Sequence, residues 1–512
     1  MKTQLYSLLL TLACTATYAE ELPPLILQDA AVDESLAEEE ELLSADSIPS
    51  ELYATSLTDE MLPVESLPFE LTAQRMKKAK DPLMLYGNMR MLYGESIDTH
   101  ADGKMRSDLE QLRIGLRYQR DLWYDWFFKM DMRGVFLHRN NHDTHGKDEI
   151  WDANFEMREL YFENKHIIAT LPIGVLGGRK QFRDSRGWWY DNQLDVIQLQ
   201  YNSTLVNAQL SYGGRVIDER VTSEEQNAGL EDSQFMLARL NYQFRYQHHF
   251  QGFVTYQHDD YSENKVGHEY NANSRIKSEL DLTWIGFRFN GLFALPDNSD
   301  LNYWFDFATV VGSEEQYETT TSGSDKRSIK AVNKVNISNA YGIDLGLTWK
   351  APSNRWGVSA NYAYGSGDNS DSSSQSGYRQ STLSNNTGRL FNETASRYRL
   401  YGEFLRPELS NLQLVSLSSG TKLGDYLWLQ GSYFYYWQVE ADTDFNGSIL
   451  SATPNGINKN IGGELDVTLS ASWDPLYDIQ LTMSGYHAGD AFDHVASSKY
   501  AFMGLLEFKL HW

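Results

Sequence analysis

Residues 177–195 read GGRKQFRDSRGWWYDNQLD and follow directly on an apolar run, 167–176. These nineteen residues hold Arg179, Lys180, Arg183 and Arg186 together with two tryptophans and three aspartates. If 173–183 is a strand, side chains alternate between its faces, so Arg179, Gln181 and Arg183 share one face while Leu176 and Phe182 share the other. A strand with guanidinium on one side and apolar groups on the other suits a wall that is wet on one side and meets lipid on the other. An Arg-rich turn on a soluble β-sandwich reads the same way locally, so the surrounding chain has to decide.

The two ends favour the membrane wall. Residues 1–19, MKTQLYSLLLTLACTATYA, combine a lysine, a short apolar core and small residues at Thr17 and Ala19, the pattern of a secretory signal cleaved before Glu20. The single cysteine, Cys14, lies inside that segment, so the exported chain is expected to carry no disulfide. At the other end Leu506, Phe508, Leu510 and Trp512 alternate with Glu507, Lys509 and His511, a two-faced strand with apolar groups out and polar groups in. A chain ending on an aromatic residue in this way also resembles the signal read by the machinery that inserts outer-membrane barrels.

Composition narrows the class further. Mean hydropathy is -0.50, and past the N-terminus no apolar run approaches the length of a helical membrane span. The 31 tyrosines and 13 tryptophans match the aromatic girdles of outer-membrane barrels. The formal net charge is -26, but about fifteen acidic residues fall between positions 20 and 70, where there is no lysine or arginine. With few aromatics, that arm, extended to residue 81, is expected to be disordered and periplasmic. Arg75, Lys77, Lys78 and Lys80 reverse its charge before the first strand.

From residue 82 onward the chain reads as period-two segments separated by turns, about eighteen in all, running from 83–95 to 499–512 and including 168–183, 193–201, 339–350, 355–365 and 398–419. Connections after odd segments are long and polar (98–106, 219–232, 259–277, 312–338, 365–396, 441–460), whereas most of those after even segments are tight. The expected fold is therefore all-β: one transmembrane antiparallel barrel over 82–512, with long extracellular loops, short periplasmic turns and an aqueous lumen. Its inward positions include Arg90, Arg113, Arg117, Arg158, Arg179, Arg183, Arg215, Arg397 and Arg399. A ring of arginine selects anions, unless each guanidinium is spent on an inward carboxylate such as Glu156.

At 177–195 the sequence resembles the alginate export protein family. MRELYFE (157–163), STLVNAQLSYGGRV (203–216), LTWIGF (282–287), YGIDLGLTWK (341–350), ELSNLQ (408–413) and IGGELDVTLS (461–470) agree with it in the same order. The resemblance runs from Arg90 to the C-terminus. It implies an eighteen-stranded outer-membrane channel that passively conducts an anionic, uronate-type polysaccharide along a ladder of arginines. Arg90, Arg117, Arg158, Arg389 and Arg397 fall where the family carries constriction lysine or arginine, and Asp191, Gln193 and Asp218 fall on its polar or acidic pathway positions. Gln181, Gln480 and Thr482 replace family arginines, which implies a less positive lumen and admits a less charged glycan or an oligosaccharide as cargo. The family's long periplasmic plug is replaced by the tight turn at 473–477, and the acidic arm is a candidate substitute.

The alternative reading is an anion-selective porin for uptake of small acidic nutrients or oligosaccharides. Expected partners are the glycan, outer-membrane lipid and lipopolysaccharide, and periplasmic secretion proteins. No nucleic acid, metal or cofactor is expected, and a monomer is. The Asp442, Asp444, Asn446, Gly447 run begins like a calcium loop but lacks its closing glutamate, and nothing positions a catalytic nucleophile.

Overall fold

The computed structural model describes residues 83–97, 104–143, 146–168, 170–216, 233–259, 265–271, 279–321, 326–368, 374–391, 394, 396–448, 450, 452–473, 477–493 and 499–511. The signal segment, the acidic arm and Asp218 lie outside the described residues. Eighteen strands form the wall: β1 (Leu83–Ile97), β2 (Lys104–Asp121), β3 (Trp126–Asp143), β4 (Gly146–Asn164), β5 (Ile173–Arg183), β6 (Asp191–Asn202), β7 (Val206–Gly214), β8 (Ser233–Arg245), β9 (His248–Asp259), β10 (Leu280–Ala294), β11 (Asp300–Thr321), β12 (Lys326–Lys350), β13 (Trp356–Gly365), β14 (Leu412–Lys422), β15 (Leu427–Gln438), β16 (Asn460–Trp473), β17 (Tyr477–Ala488) and β18 (Tyr500–His511). Each pairs antiparallel with its neighbours, and β1 pairs with both β2 and β18, so the sheet closes and has no free edge.

The wall is inside out relative to a soluble protein. On β6 Ile197, Leu199 and Tyr201 are exposed while Gln198 and Gln200 between them are buried; on β16 Leu465, Val467 and Leu469 are exposed while Thr468 and Ser470 are buried. Apolar groups thus face lipid and polar groups the interior, which accounts for the low mean hydropathy of a membrane protein. Trp123, Tyr124, Tyr246, Trp356 and Tyr426 are exposed at the tight turns, where amphipathic rings sit at a membrane interface.

Two segments leave the wall and fill one flank of the interior. β5 pairs with β4 only as far as Arg179, opposite Leu160, whereas β5 and β6 stay paired up to Arg183 and Asp191. Gly178 marks the departure point: its φ is +128°, and a Cβ there would meet the Leu160 carbonyl oxygen. Beyond it the hairpin tip turns inward and touches inward-facing side chains of β10, β11 and β12. The second segment, residues 366–411 between β13 and β14, buries Tyr378, Leu383, Tyr398, Leu400, Tyr401, Phe404, Leu405 and Leu409 in one core with Trp188, Trp189 and Tyr190 of the hairpin. Trp189 stacks on Phe253 at 4.5 Å between centroids, and its indole occupies the space where Gly286 has no side chain.

Three expectations are corrected here. Leu176 and Phe182 do not meet lipid; both are buried, Phe182 against the aromatic core of the plug. The strand expected at 398–419 begins at Leu412, because residues 398–411 belong to the inward segment. The interior is not simply aqueous, since a packed apolar core occupies part of it. In addition β11 and β12 run to 22 and 25 residues, well past the ~9–11 that cross a bilayer.

Candidate functional site

The hairpin tip is built on Asp184. Its carboxylate accepts the backbone N–H groups of Arg186 (2.9 Å), Trp189 (2.8 Å) and Tyr190 (3.1 Å), which closes the turn, and Arg288 Nη1 of β10 reaches it at 2.9 Å. Burial alone would raise this carboxyl, but the Arg288 charge and the three amides outweigh it and hold Asp184 below the ordinary carboxylate range. Arg288 also donates to Asp306 (2.8 Å), and Arg186 lies 3.0 Å from Asp344 of β12. Three inward carboxylates or their partners therefore pin the tip to the far wall.

The 366–411 segment is pinned as thoroughly. Thr387 Oγ1 donates to Asp191 (2.7 Å), Ser381 Oγ to the Trp189 carbonyl (3.0 Å), and the Phe404 and Leu405 amides to Glu464 of β16 (2.7 and 3.0 Å). Arg397 donates to the carbonyls of Asp184 and Ser185 (3.2 Å each) and of Thr387. Its guanidinium is thus a strut between the two inward segments. Gln480, standing at a family arginine position, accepts the Ser396 amide at 2.8 Å and so also anchors the plug.

Opposite the plug, the inward faces of β1 to β4 and β18 carry a run of cations with acids set behind them. Arg117 binds Asp131 at 2.9 Å and Arg158 lies 3.7 Å from the same carboxylate; the arginine side chains are 34 and 23 % exposed, Asp131 1 %. Arg90 lies 3.7 Å from Glu507, Lys129 2.9 Å from Glu159, and Arg133 is hydrogen-bonded to Glu156. On the plug side Arg183, 36 % exposed, binds Asp191 at 2.7 Å, with Asp191 only 5 % exposed. Each acid lies deeper than its partner, so the interior surface between plug and wall presents guanidinium and ammonium. Arg399 of the plug is pushed down to about 10 by burial and then by Arg406, with Arg90 of the wall adding repulsion across the gap.

The residues singled out in the sequence therefore separate. Arg90, Arg117, Arg158, Arg183 and Asp191 come together along this flank. Gln193 donates to Gln181 (2.5 Å), which donates to Asp191 (2.9 Å), so both glutamines belong to the Asp191 network. Arg179 is different: it is buried at the hairpin base with its guanidinium bidentate on Asp195 at 2.7 and 2.8 Å, away from any open surface. Arg215 is also buried, bonded to Asn192 and to the Gln193 carbonyl. Arg389 lines a cavity with Arg186 and Arg288 and also lies near enough to Lys509 of β18 for the two charges to repel. Sequence reading missed Lys129, Arg133, Arg288 and Arg406. For Arg288 a signal was present, because Phe287 and Phe289 flank it in strand alternation.

A closed antiparallel barrel with apolar groups outward, polar groups inward and its own chain folded into the interior is an outer-membrane channel-type barrel. A family model described as alginate export matches residues 99–504, and the chain belongs to that family. It is similar to the alginate production protein AlgE of Pseudomonas aeruginosa, 28% identical over 314 residues covering 61% of this chain and 63% of that protein. It is also similar to the AlgE protein of Azotobacter vinelandii, 27% identical over 367 residues, 67% of this chain and 72% of the relative. The match therefore spans under two thirds of the Pseudomonas aeruginosa protein. The crystal structure of Pseudomonas aeruginosa OccK7 (OpdD) shares the fold, with a TM-score of 0.51 over 84% of this chain and 98% of that one at 11% identity.

Proposed function

We propose that this protein is a passive outer-membrane channel for an anionic, uronate-type polysaccharide, in keeping with its family. The observation that carries the reading is the asymmetry of exposure between plug and wall: Arg117, Arg158 and Arg183 present themselves to the gap while Asp131 and Asp191 lie behind them. A polyuronate offers one carboxylate per sugar, and guanidinium accepts carboxylate in a bidentate fork. The buried acids weaken each cation without cancelling it, so successive sites are deep enough to admit the chain and shallow enough to release it. Pairing of the arginines, the bland expectation, thus serves the same reading by moderating each station.

Planar-bilayer conductance of the mature protein, titrated with an oligouronate and with a neutral oligosaccharide of equal length, tests this. Anion-selective current blocked by the oligouronate alone supports the conduit. Equal block by the neutral sugar, or cation selectivity, overturns it.

A further inference from the structure

Inside the barrel, Thr387 and Gly388 pair antiparallel with Arg399 and Tyr398 as a short ribbon, which closes residues 389–397 into a loop. The neck of the loop is held to the hairpin tip, through Thr387 on Asp191 and Arg397 on the Asp184 and Ser185 carbonyls. Its far end reaches the periplasmic ends of β13 to β17, where Phe391 is buried to 2 % exposure. The wall makes room for this ring. Gly357 of β13 and Gly420 of β14 stand opposite each other in register beside the tight turns, and a Cβ on either would meet the Phe391 ring, at 2.9 and 3.2 Å. Trp428 of β15 closes the hollow, its ring centroid 5.6 Å from that of Phe391. A second attachment is polar: the Ser396 amide donates to Gln480 Oε1 of β17 at 2.8 Å.

Apart from that ring the seat is poorly matched. Thr394 Oγ1 and Ser396 Oγ of the loop, and Ser418 Oγ and Gln430 Oε1 of the wall around Gly420, are buried without a partner among the described residues. Polar atoms buried unmet favour a state in which water can reach them. Charge acts in the same direction, since Arg389 lies near enough to Lys509 of β18 to repel it, as Arg399 at the neck does Arg90 of β1. Burial of the Phe391 ring opposes both. On its other side the loop has room, because Arg389 and Leu390 border a cavity of about 90 Å³. We propose that 389–396 is a strap across the periplasmic end of the interior and that Phe391 is its catch. With the ring in the Gly357–Gly420 hollow the passage is narrow; withdrawal of the ring lets the loop swing on its ribbon neck and widens the passage. The inference rests on the channel reading above, and on conduction through the interior rather than on the identity of the cargo.

Single-channel recording of the mature protein in planar bilayers, on wild type, Phe391→Ala, Phe391→Leu and Gln480→Arg, tests it, with heat-shifted gel mobility showing that each barrel is folded. Wild type should make rare openings to a second, larger conductance level. Phe391→Ala should raise the fraction of time spent at that level at least about tenfold, because truncating a buried ring shifts such an equilibrium by that much or more. Phe391→Leu still fills the hollow and should stay near wild type. Gln480→Arg removes the Ser396 acceptor from the wall side, with the new guanidinium opposite Glu507 in register, and should shift the openings the same way. It keeps the test valid should Phe391→Ala loosen the plug core. Open fractions equal to wild type in Phe391→Ala and Gln480→Arg overturn the strap and leave the channel reading standing. Phe391→Leu opening as readily as Phe391→Ala overturns the assignment of the catch to the filled hollow. No current from wild type, from these variants or from a chain lacking 368–409 removes the channel reading and the strap with it.

Discussion

Asp184 and Arg179 show how differently charged residues of one nineteen-residue stretch are used. Asp184 holds the turn by three amides and one guanidinium, so Asp184→Asn should destabilise the plug by about 3–5 kcal/mol, the usual consequence of stranding a buried charge. Because its folded carboxyl lies below the ordinary range while the unfolded one titrates near ~4, the stabilisation is complete above that pH and disappears as pH falls through the depressed folded value. The gap in urea midpoint between wild type and Asp184→Asn should hence be constant above pH ~4 and close below it. A gap that closes already near neutrality would show that the carboxyl is not held down. Arg179 and Arg183 make a second contrast. Arg179→Gln should cost about 3–5 kcal/mol and leave ion selectivity unchanged, since it breaks a sealed pair with Asp195. Arg183→Gln should cost about 1 kcal/mol or less and shift the reversal potential toward cations, since its head is open to the gap. Midpoints and reversal potentials on the two variants separate these roles, and the reverse ordering would move the pathway to the Arg179 side.

At the scale of elements, what was legible is what periodicity can carry. Fifteen of the eighteen wall strands end within about six residues of their alternating segments, because apolar-out and polar-in residues repeat every two positions whatever lies inside the barrel, whereas β11 and β12 run on through most of 312–338, which the sequence reads as a polar loop. The third exception, β14, is instructive. Tyr398 and Leu400 alternate with Arg397 and Arg399, so the inward segment imitates a wall strand over its first turn. Gly402, with φ +102°, and Pro407 break that imitation, and they are the punctuation that should have ended the strand reading before Leu412. The inward turn of the hairpin left a weaker trace, since alternation reports two faces and not whether both are enclosed. Apolar content was the available clue: a solvated loop has no use for Tyr378, Leu383, Tyr398, Tyr401, Phe404 and Leu405 together. If the segment is a plug carried by the wall, replacing 368–409 with a short Gly/Ser linker should leave a folded barrel, because β13 and β14 pair directly from Gly365 and Leu412 onward. Single-channel conductance of that variant should rise several-fold. Conductance equal to wild type in a folded barrel would mean that the current path bypasses the plug altogether.

For the whole molecule, charge is divided by compartment. The net charge of -26 would favour a cation pathway if spread evenly, yet about fifteen of the acids lie between residues 20 and 70, while the flank between plug and wall presents arginine. The sequence gives that segregation only in part, because which of two paired charges faces the gap depends on side-chain depth and not on composition. A polyanion tethered to a basic pore acts at an effective concentration of ~mM, enough to compete with a polymer for the same cations if it reaches them. The interaction is long-ranged only when screening is weak: the Debye length is ~10 Å at 0.1 M salt and ~3 Å at 1 M. Removing residues 20–70 should therefore raise conductance and sharpen anion selectivity at 0.1 M while leaving both unchanged at 1 M. The same deletion should lower the oligouronate concentration needed for half-block at low salt, since one competitor for the arginines is gone. Identical currents and identical block with and without the arm at 0.1 M would assign occupation of the interior to the hairpin tip and 366–411 alone, and leave the arm no part in conduction.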